Sequence, residues 1–99
     1  MEIEVGFHPE AREEYLSAIA WYVTHSEPIA TAFQREVQGA IDQIQADPTR
    51  SPKFEGEVRW VRLKRFPYVV YFEPLRTQVV QVLAVAHGSR APGYWRSRK

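Results

Sequence analysis

Ile3, Val5 and Phe7 alternate with Glu2, Glu4 and Gly6, the period of a strand with one buried face. His8-Pro9 then opens a helix, because proline suits a first turn whose N–H groups have no intrahelical partner. Glu10, Glu13 and Glu14 favour the positive end of that helix, and Ala11, Tyr15, Ala18, Ile19 and Tyr22 form its apolar stripe. Pro28 restricts the residue before it, which predicts a stop near Ser26. Ile29, Phe33, Val37, Ala40, Ile41 and Ile44 recur at helical spacing until Asp47-Pro48 ends the pattern. So short a connection makes the two helices an antiparallel hairpin, and each stripe needs a further layer to cover it.

Residues 49–57 read as a loop. Residues 58–64 alternate, with Val61 and Leu63 on one face and Trp60, Arg62 and Lys64 on the other. After the break at Arg65-Phe66-Pro67, residues 68–73 are rich in aromatic and β-branched side chains. Pro74 has no N–H for a ladder, which predicts that this strand ends at Glu73 and that residues 74–77 turn. Residues 78–87 are apolar on both faces, as in a central strand, and residues 88–99 form a basic, partly aromatic tail. The reading is α+β: a β-α-α-β-β-β order with a helical hairpin packed on one face of a mainly antiparallel sheet. One domain is expected over residues 1–99.

Composition narrows the class. The 99 residues are 44% hydrophobic and 25% charged, close to the globular average. There is no cysteine, which excludes a disulfide scaffold, a cysteine nucleophile and thiolate zinc sites. No apolar run approaches the roughly 20 residues of a membrane span, and the acidic start is unlike a signal peptide, so a cytoplasmic protein without a membrane partner is expected. The net charge of +1 hides a polarity. Residues 1–47 hold nine acids against Arg12 and Arg35, a balance of −7, and residues 48–99 hold eleven bases against three acids, a balance of +8. Such a chain either binds an anionic partner through its basic half or pairs its two halves with each other.

Most chemistries lack a starting point. His8, His25 and His87 fall on three different elements without metal-ligand spacing, and there is no glycine-rich phosphate loop or nucleophile elbow, so neither metal nor cofactor is expected. The informative cluster is basic and aromatic: Trp60, Arg62 and Lys64 on one strand face, then His87, Arg90, Tyr94, Trp95, Arg96 and Arg98 near the end. Arginine and lysine bind phosphates, and exposed aromatics stack on unpaired bases. Cleavage of RNA by its own 2′-oxygen needs cations at the phosphorane, a base and an acid. Arg62, Lys64 and Arg90 carry suitable charge, and His87 and Tyr94 can move protons. Each also has a structural reading: Tyr94-Trp95 pins the tail to the sheet, and His87 closes a strand. Arg59 and Arg65 form ion pairs, and Trp21-Tyr22 and Phe66-Pro67-Tyr68 fill core and turn.

Over nearly its whole length the chain resembles RelE/ParE-type toxins of bacterial type II toxin–antitoxin modules. The carriers are Phe7-His8-Pro9-Glu10-Ala11, Trp21-Tyr22, Ala32-Phe33, Ile41 with Ile44, Pro48, Val58-Arg59 and Leu63. Arg65-Phe66-Pro67-Tyr68, Tyr71, Val85-Ala86-His87, and Arg90 with Pro92-Gly93-Tyr94-Trp95 complete the set. The resemblance implies a toxin held in a hetero-oligomer by a cognate antitoxin, whose acidic or amphipathic segment covers the basic sheet face. RelE-like members cut mRNA on the ribosome without a metal, inhibiting translation, whereas ParE-like members poison DNA gyrase and lack the ribonuclease residues. Arg62 and Lys64 are similar to the paired basic positions of the ribonuclease strand, and Tyr94 to its C-terminal tyrosine. Val69 stands where the best-known ribonucleases have arginine, and Arg90 is displaced from their pattern.

Three functions follow as expectations. The first is a ribosome-dependent endoribonuclease with Arg62, Lys64 and Arg90 as phosphate clamps and His87 and Tyr94 as acid–base groups. The alternatives are a gyrase inhibitor acting by protein binding and a non-toxic relative that only binds an antitoxin.

Overall fold

Strand β1 (Glu4–Phe7) runs straight into helix α1 (Pro9–His25) in a computed structural model that describes residues 2–99. His8 makes the junction, its Nδ1 accepting the Glu10 amide at 3.1 Å while Pro9 fills the first turn. Ser26 alone separates α1 from α2 (Glu27–Ala46). Its N–H donates to the Tyr22 carbonyl at 2.7 Å, closing α1, and its Oγ accepts the Ile29 amide at 3.4 Å, opening α2. One residue serving as both caps forces the hairpin that the sequence predicts.

Then follow a 3₁₀ turn (Pro48–Arg50) and strands β2 (Lys53–Glu55), β3 (Val58–Arg62), β4 (Tyr68–Arg76) and β5 (Val79–His87), with a final 3₁₀ turn at Tyr94–Arg98. The five strands form one sheet in the order β1-β5-β4-β3-β2; β1 pairs with β5 in parallel and the other pairs are antiparallel. The α+β architecture is the expected one, with a short strand added. Lys53–Glu55 is that strand, lying in the segment expected to be a loop; three residues between Pro52 and Gly56 are too few to show a period. Pro74 does not end its strand either. β4 continues to Arg76 and Pro74 pairs with Val80, because the β3 pairing reaches only to Arg59 opposite Phe72 and β4 is an edge strand beyond it. The turn is therefore Thr77-Gln78, with Gln78 in the left-handed region at φ 62°.

The helices cover one sheet face. Ala11, Ala18, Phe33, Val37, Ala40 and Ile44 meet Leu63, Val70, Phe72, Val80, Val82 and Val85, with Tyr22, Phe66 and Tyr68 around them. One position of the expected stripes and one expected core residue point elsewhere. Ile29 is exposed while Ala30 is buried, and Trp21 is 58% exposed, stacked on His25 with ring centroids 4.0 Å apart. Tyr22 takes the inward place, and its neighbour is turned about 100° round the helix.

The opposite face has its own core of Val58, Leu83, Ala84, Ala86 and Trp95 against Phe54, Tyr71 and Tyr94. Pairing steps from Tyr71–Ala84 to Phe72–Val82, so Leu83 is an inserted residue and shares a face with Ala84. The two cores explain why β5 is apolar on both faces, and the bulge lets the adjacent Leu83 and Ala84 enter the same one. Two glycines differ in meaning. Gly93 adopts φ 85° to start the last 3₁₀ turn, and the Arg96 guanidinium occupies the place of a Cβ. Gly39, mid-way along α2, costs about 1 kcal/mol relative to alanine, yet a Cβ there meets nothing within 4 Å.

Candidate functional site

The polar groups gather at two sheet edges, each served by a glutamate from a helix. Glu14 lies three residues after Ala11 and four before Ala18, on the sheet-facing side of α1. β1 accompanies β5 only from Val79 to Val82, and the His8 amide extends the ladder to the Val82 carbonyl at 2.8 Å. Beyond that point side chains replace the missing strand. Glu14 Oε1 accepts the Val85 amide at 3.0 Å, and Arg98 Nη1 donates to the Leu83 carbonyl at 2.9 Å. Arg98 grips Glu14 with both nitrogens, at 3.0 and 2.9 Å, and the Tyr94 hydroxyl donates to Glu14 Oε2 at 2.6 Å. Arg98 also reaches Glu10 at 3.5 Å, and the Arg90 guanidinium lies 3.8 Å from the centre of the Tyr94 ring. Burial first, then the Glu14 hydrogen bond, push the Tyr94 hydroxyl well above the ordinary tyrosine range. Its proton is held on oxygen and committed to Glu14.

His87 ends β5 on the helix side, its ring edge-on to Tyr68 with centroids 5.1 Å apart and its Nδ1 2.8 Å from Ser89 Oγ. It shares a cleft of about 310 Å³ with Glu14, Trp21, Tyr68, Arg90 and Tyr94. Three of the five candidate site residues, His87, Arg90 and Tyr94, are thus brought together.

Arg62 and Lys64 are elsewhere. Val61 and Leu63 belong to the helix-side core, so Arg62 between them projects from the other face, its guanidinium 5.3 Å from the Trp60 ring centre. His87 projects to the helix side, and β4 separates β3 from β5, so Arg62 and His87 lie on opposite faces of the sheet and two strands apart. Arg62 and Lys64 line a cleft of about 420 Å³ with Phe66, Tyr68, Val69 and Gly88, and a neighbouring groove of about 460 Å³ along α2 with Arg35, Gly39, Val61 and Arg65. Glu36, three after Phe33 and four before Ala40, sits at its end. Its Oε1 accepts the Lys64 and Arg65 amides at 3.0 and 3.1 Å, and Oε2 takes Arg65 Nε at 2.8 Å. Partial burial works against its charge, but these bonds prevail and hold the Glu36 carboxyl below the usual range.

Arg65 forms the ion pair expected of it, whereas Arg59 donates to the Thr49 and Ser51 carbonyls at 3.2 and 2.6 Å. Trp95 is fully buried and pins the tail, with Arg96 clasping Glu55 at 2.7 and 2.6 Å. The charge polarity is partly internal, since Glu10, Glu14 and Glu36 of the acidic half pair with Arg98 and Arg65 of the basic half. Glu14 was legible only as an acid at the start of its helix and Glu36 only as one of the nine acids of residues 1–47; the missed signal is a carboxylate on an apolar stripe. Among the described residues no cluster of three or more His, Cys, Asp or Glu is placed to hold a metal, and no helix is long and apolar enough to cross a membrane.

A helical hairpin on one face of a five-stranded sheet, with a tail packed on the other and cations along the rim, defines a small α+β class. Residues 5–92 match the model of the family described as "ParE toxin of type II toxin-antitoxin system, parDE", and the chain belongs to that family. It is the toxin partner of an antitoxin. Among solved structures, a chain from the chromosomal ParDE system of P. aeruginosa is 17% identical and superposes with a TM-score of 0.71, over 86% of this chain and 95% of that one. No curated protein is detectably similar.

Proposed function

We propose that this toxin arrests growth by binding DNA gyrase rather than by cutting mRNA. The observation that carries the reading is the separation of Arg62 from His87, on opposite faces of the sheet and on strands that do not touch. In-line cleavage asks its phosphate clamps and its acid–base pair to converge on one phosphate within hydrogen-bond reach, about 3 Å. The Tyr94 hydroxyl, in addition, donates to Glu14 and holds its proton. Cations spread along a rim suit recognition of a protein surface. The resemblance to toxins that poison gyrase without ribonuclease residues, and Val69 in place of a clamping arginine, support the same reading.

A second reading keeps one observation on its side. His87 and Arg90 share a cleft whose walls include Trp21, Tyr68 and Tyr94, a set able to stack a base and touch a phosphate. The two readings part in a paired assay. Purified toxin is added to a gyrase supercoiling reaction and to a translation reaction followed by primer extension on a defined mRNA. Gyrase binding predicts lost supercoiling and intact mRNA. Ribosome-dependent new 5′ ends with normal supercoiling transfer the function to the His87–Arg90 cleft.

A further inference from the structure

The cleft between α1 and the end of β5 gathers exposed rings and an unpaired cation, a combination that the packing of the fold does not require. Trp21 lines it from α1 with more than half of its surface in solvent. The ring is nonetheless held in place, since His25 stacks on it at 4.0 Å and Tyr22 meets it edge-on at 5.1 Å. His25 covers one face of the indole, which leaves the other for the cleft. Tyr68 and His87 form the facing wall. Beside this cleft opens a second of about 460 Å³ that shares Trp21, Tyr68 and His87 and adds Ser89.

The polar groups are fixed by one tight turn. The Arg90 amide donates to the His87 carbonyl at 3.0 Å, and the Gly88 amide donates to the Pro67 carbonyl at 2.7 Å, which ties the turn to the Tyr68 wall. The Ser89 amide donates to His87 Nδ1 at 3.0 Å. An amide only donates, so Nδ1 is the acceptor and the proton of the neutral imidazole sits on Nε2, where it is available to a ligand. Among the described residues Arg90 forms no ion pair; its guanidinium lies over the Tyr94 ring. Glu14, the one acid in the wall, is engaged by Arg98, Tyr94 and the Val85 amide. The charge left for a ligand is therefore positive.

We propose that this cleft binds a purine nucleoside phosphate, its base stacked on Trp21 and its phosphate held by Arg90 and His87 Nε2. An aromatic face for a base and an arginine for a phosphate are the two elements such a ligand needs. Indole and purine are fused bicycles of matching area, so a purine fills the stack best. A concave, ring-lined site with a few convergent polar groups suits a small ligand better than a protein surface. The inference asks for binding alone and stands apart from the gyrase reading.

The test titrates the purified toxin by calorimetry with AMP, adenosine and inorganic phosphate, each to about 1 mM. AMP binds, adenosine binds several-fold more weakly, and inorganic phosphate gives no saturable signal. Trp21→Leu and Arg90→Gln each raise the AMP Kd by about tenfold, Trp21→Phe loses less because it keeps a ring, and Trp60→Leu changes nothing. The melting temperature of each variant checks that the fold is intact. A single-stranded oligoadenylate separates the sources: tighter binding than AMP identifies a base within a strand, and equal or weaker binding identifies the free nucleotide. The proposal is overturned if neither AMP nor the oligomer binds, if inorganic phosphate binds as tightly as AMP, or if Trp21→Leu leaves the AMP Kd unmoved. It is overturned too if the wild type binds no AMP while Trp21→Leu abolishes inhibition of gyrase, which assigns the cleft to a protein partner.

Discussion

Glu14 and Glu36 hold matching places on their helices, each three residues after one buried position and four before another. Each accepts backbone amides that no strand reaches, Val85 within β5 and Lys64 and Arg65 just beyond β3. Their surroundings differ. At the β5 edge Glu14 is enclosed: the Arg98 side chain is 9% exposed, and Tyr94, Arg98 and the Val85 amide use every oxygen lone pair that faces them. At the β3 edge the Arg65 side chain is 70% exposed, and three residues before it the Arg62 backbone is left unpaired. The same sequence device therefore seals one edge from within the chain and ends the other at an open groove. Arg98 at the first edge is structural, and cations at the second remain free for a partner.

The tail is what closes the sealed edge, so the largest effect is expected at its anchor. Trp95→Ala removes the centre of the second core and costs about 3–5 kcal/mol, measured by urea unfolding. Glu14→Ala comes next. It leaves the buried Arg98 charge, the Val85 amide and the Tyr94 hydroxyl without their acceptor, a loss of about 3 kcal/mol, and in the variant the Tyr94 hydroxyl titrates at lower pH.

Glu36→Ala is the matched probe of the open edge. Because Arg65 stays hydrated, it costs only about 1 kcal/mol. Equal losses at Glu14 and Glu36 would erase the distinction between the edges. The acid dependence sharpens the point. The Glu36 carboxyl is depressed in the fold, so its contribution is fully present above the ordinary carboxylate pKa and is lost as pH falls through the lower, folded value. Glu36→Gln therefore flattens the acid limb of a stability–pH curve. The smallest effect lies away from both edges. Gln78→Gly relieves the left-handed turn between β4 and β5 and stabilises by about 0.5–1 kcal/mol, leaving antitoxin binding unchanged.

The helical hairpin was readable because its signals are local: Pro9, Ser26, Pro28 and the two apolar stripes fix their own neighbourhood. Strand β2 and the run past Pro74 were not, since both depend on where another strand begins and ends. The candidate residues show the same division. Alternation placed Arg62 correctly on its strand, but the strand ends there, and Lys64, expected on it, lies in the bend that follows. A one-dimensional list gave no sign that β4 lies between Arg62 and His87. Nor did it reveal that Tyr94 spends its proton on Glu14, a contact spanning eighty positions.

Native-state amide exchange at Val85 and Arg62 in the free toxin tests the contrast between the edges most directly. A sealed β5 edge predicts that Val85 exchanges only through global unfolding. An open β3 edge predicts that Arg62 exchanges fast. Slow exchange at Arg62, or equally fast exchange at both amides, would contradict it.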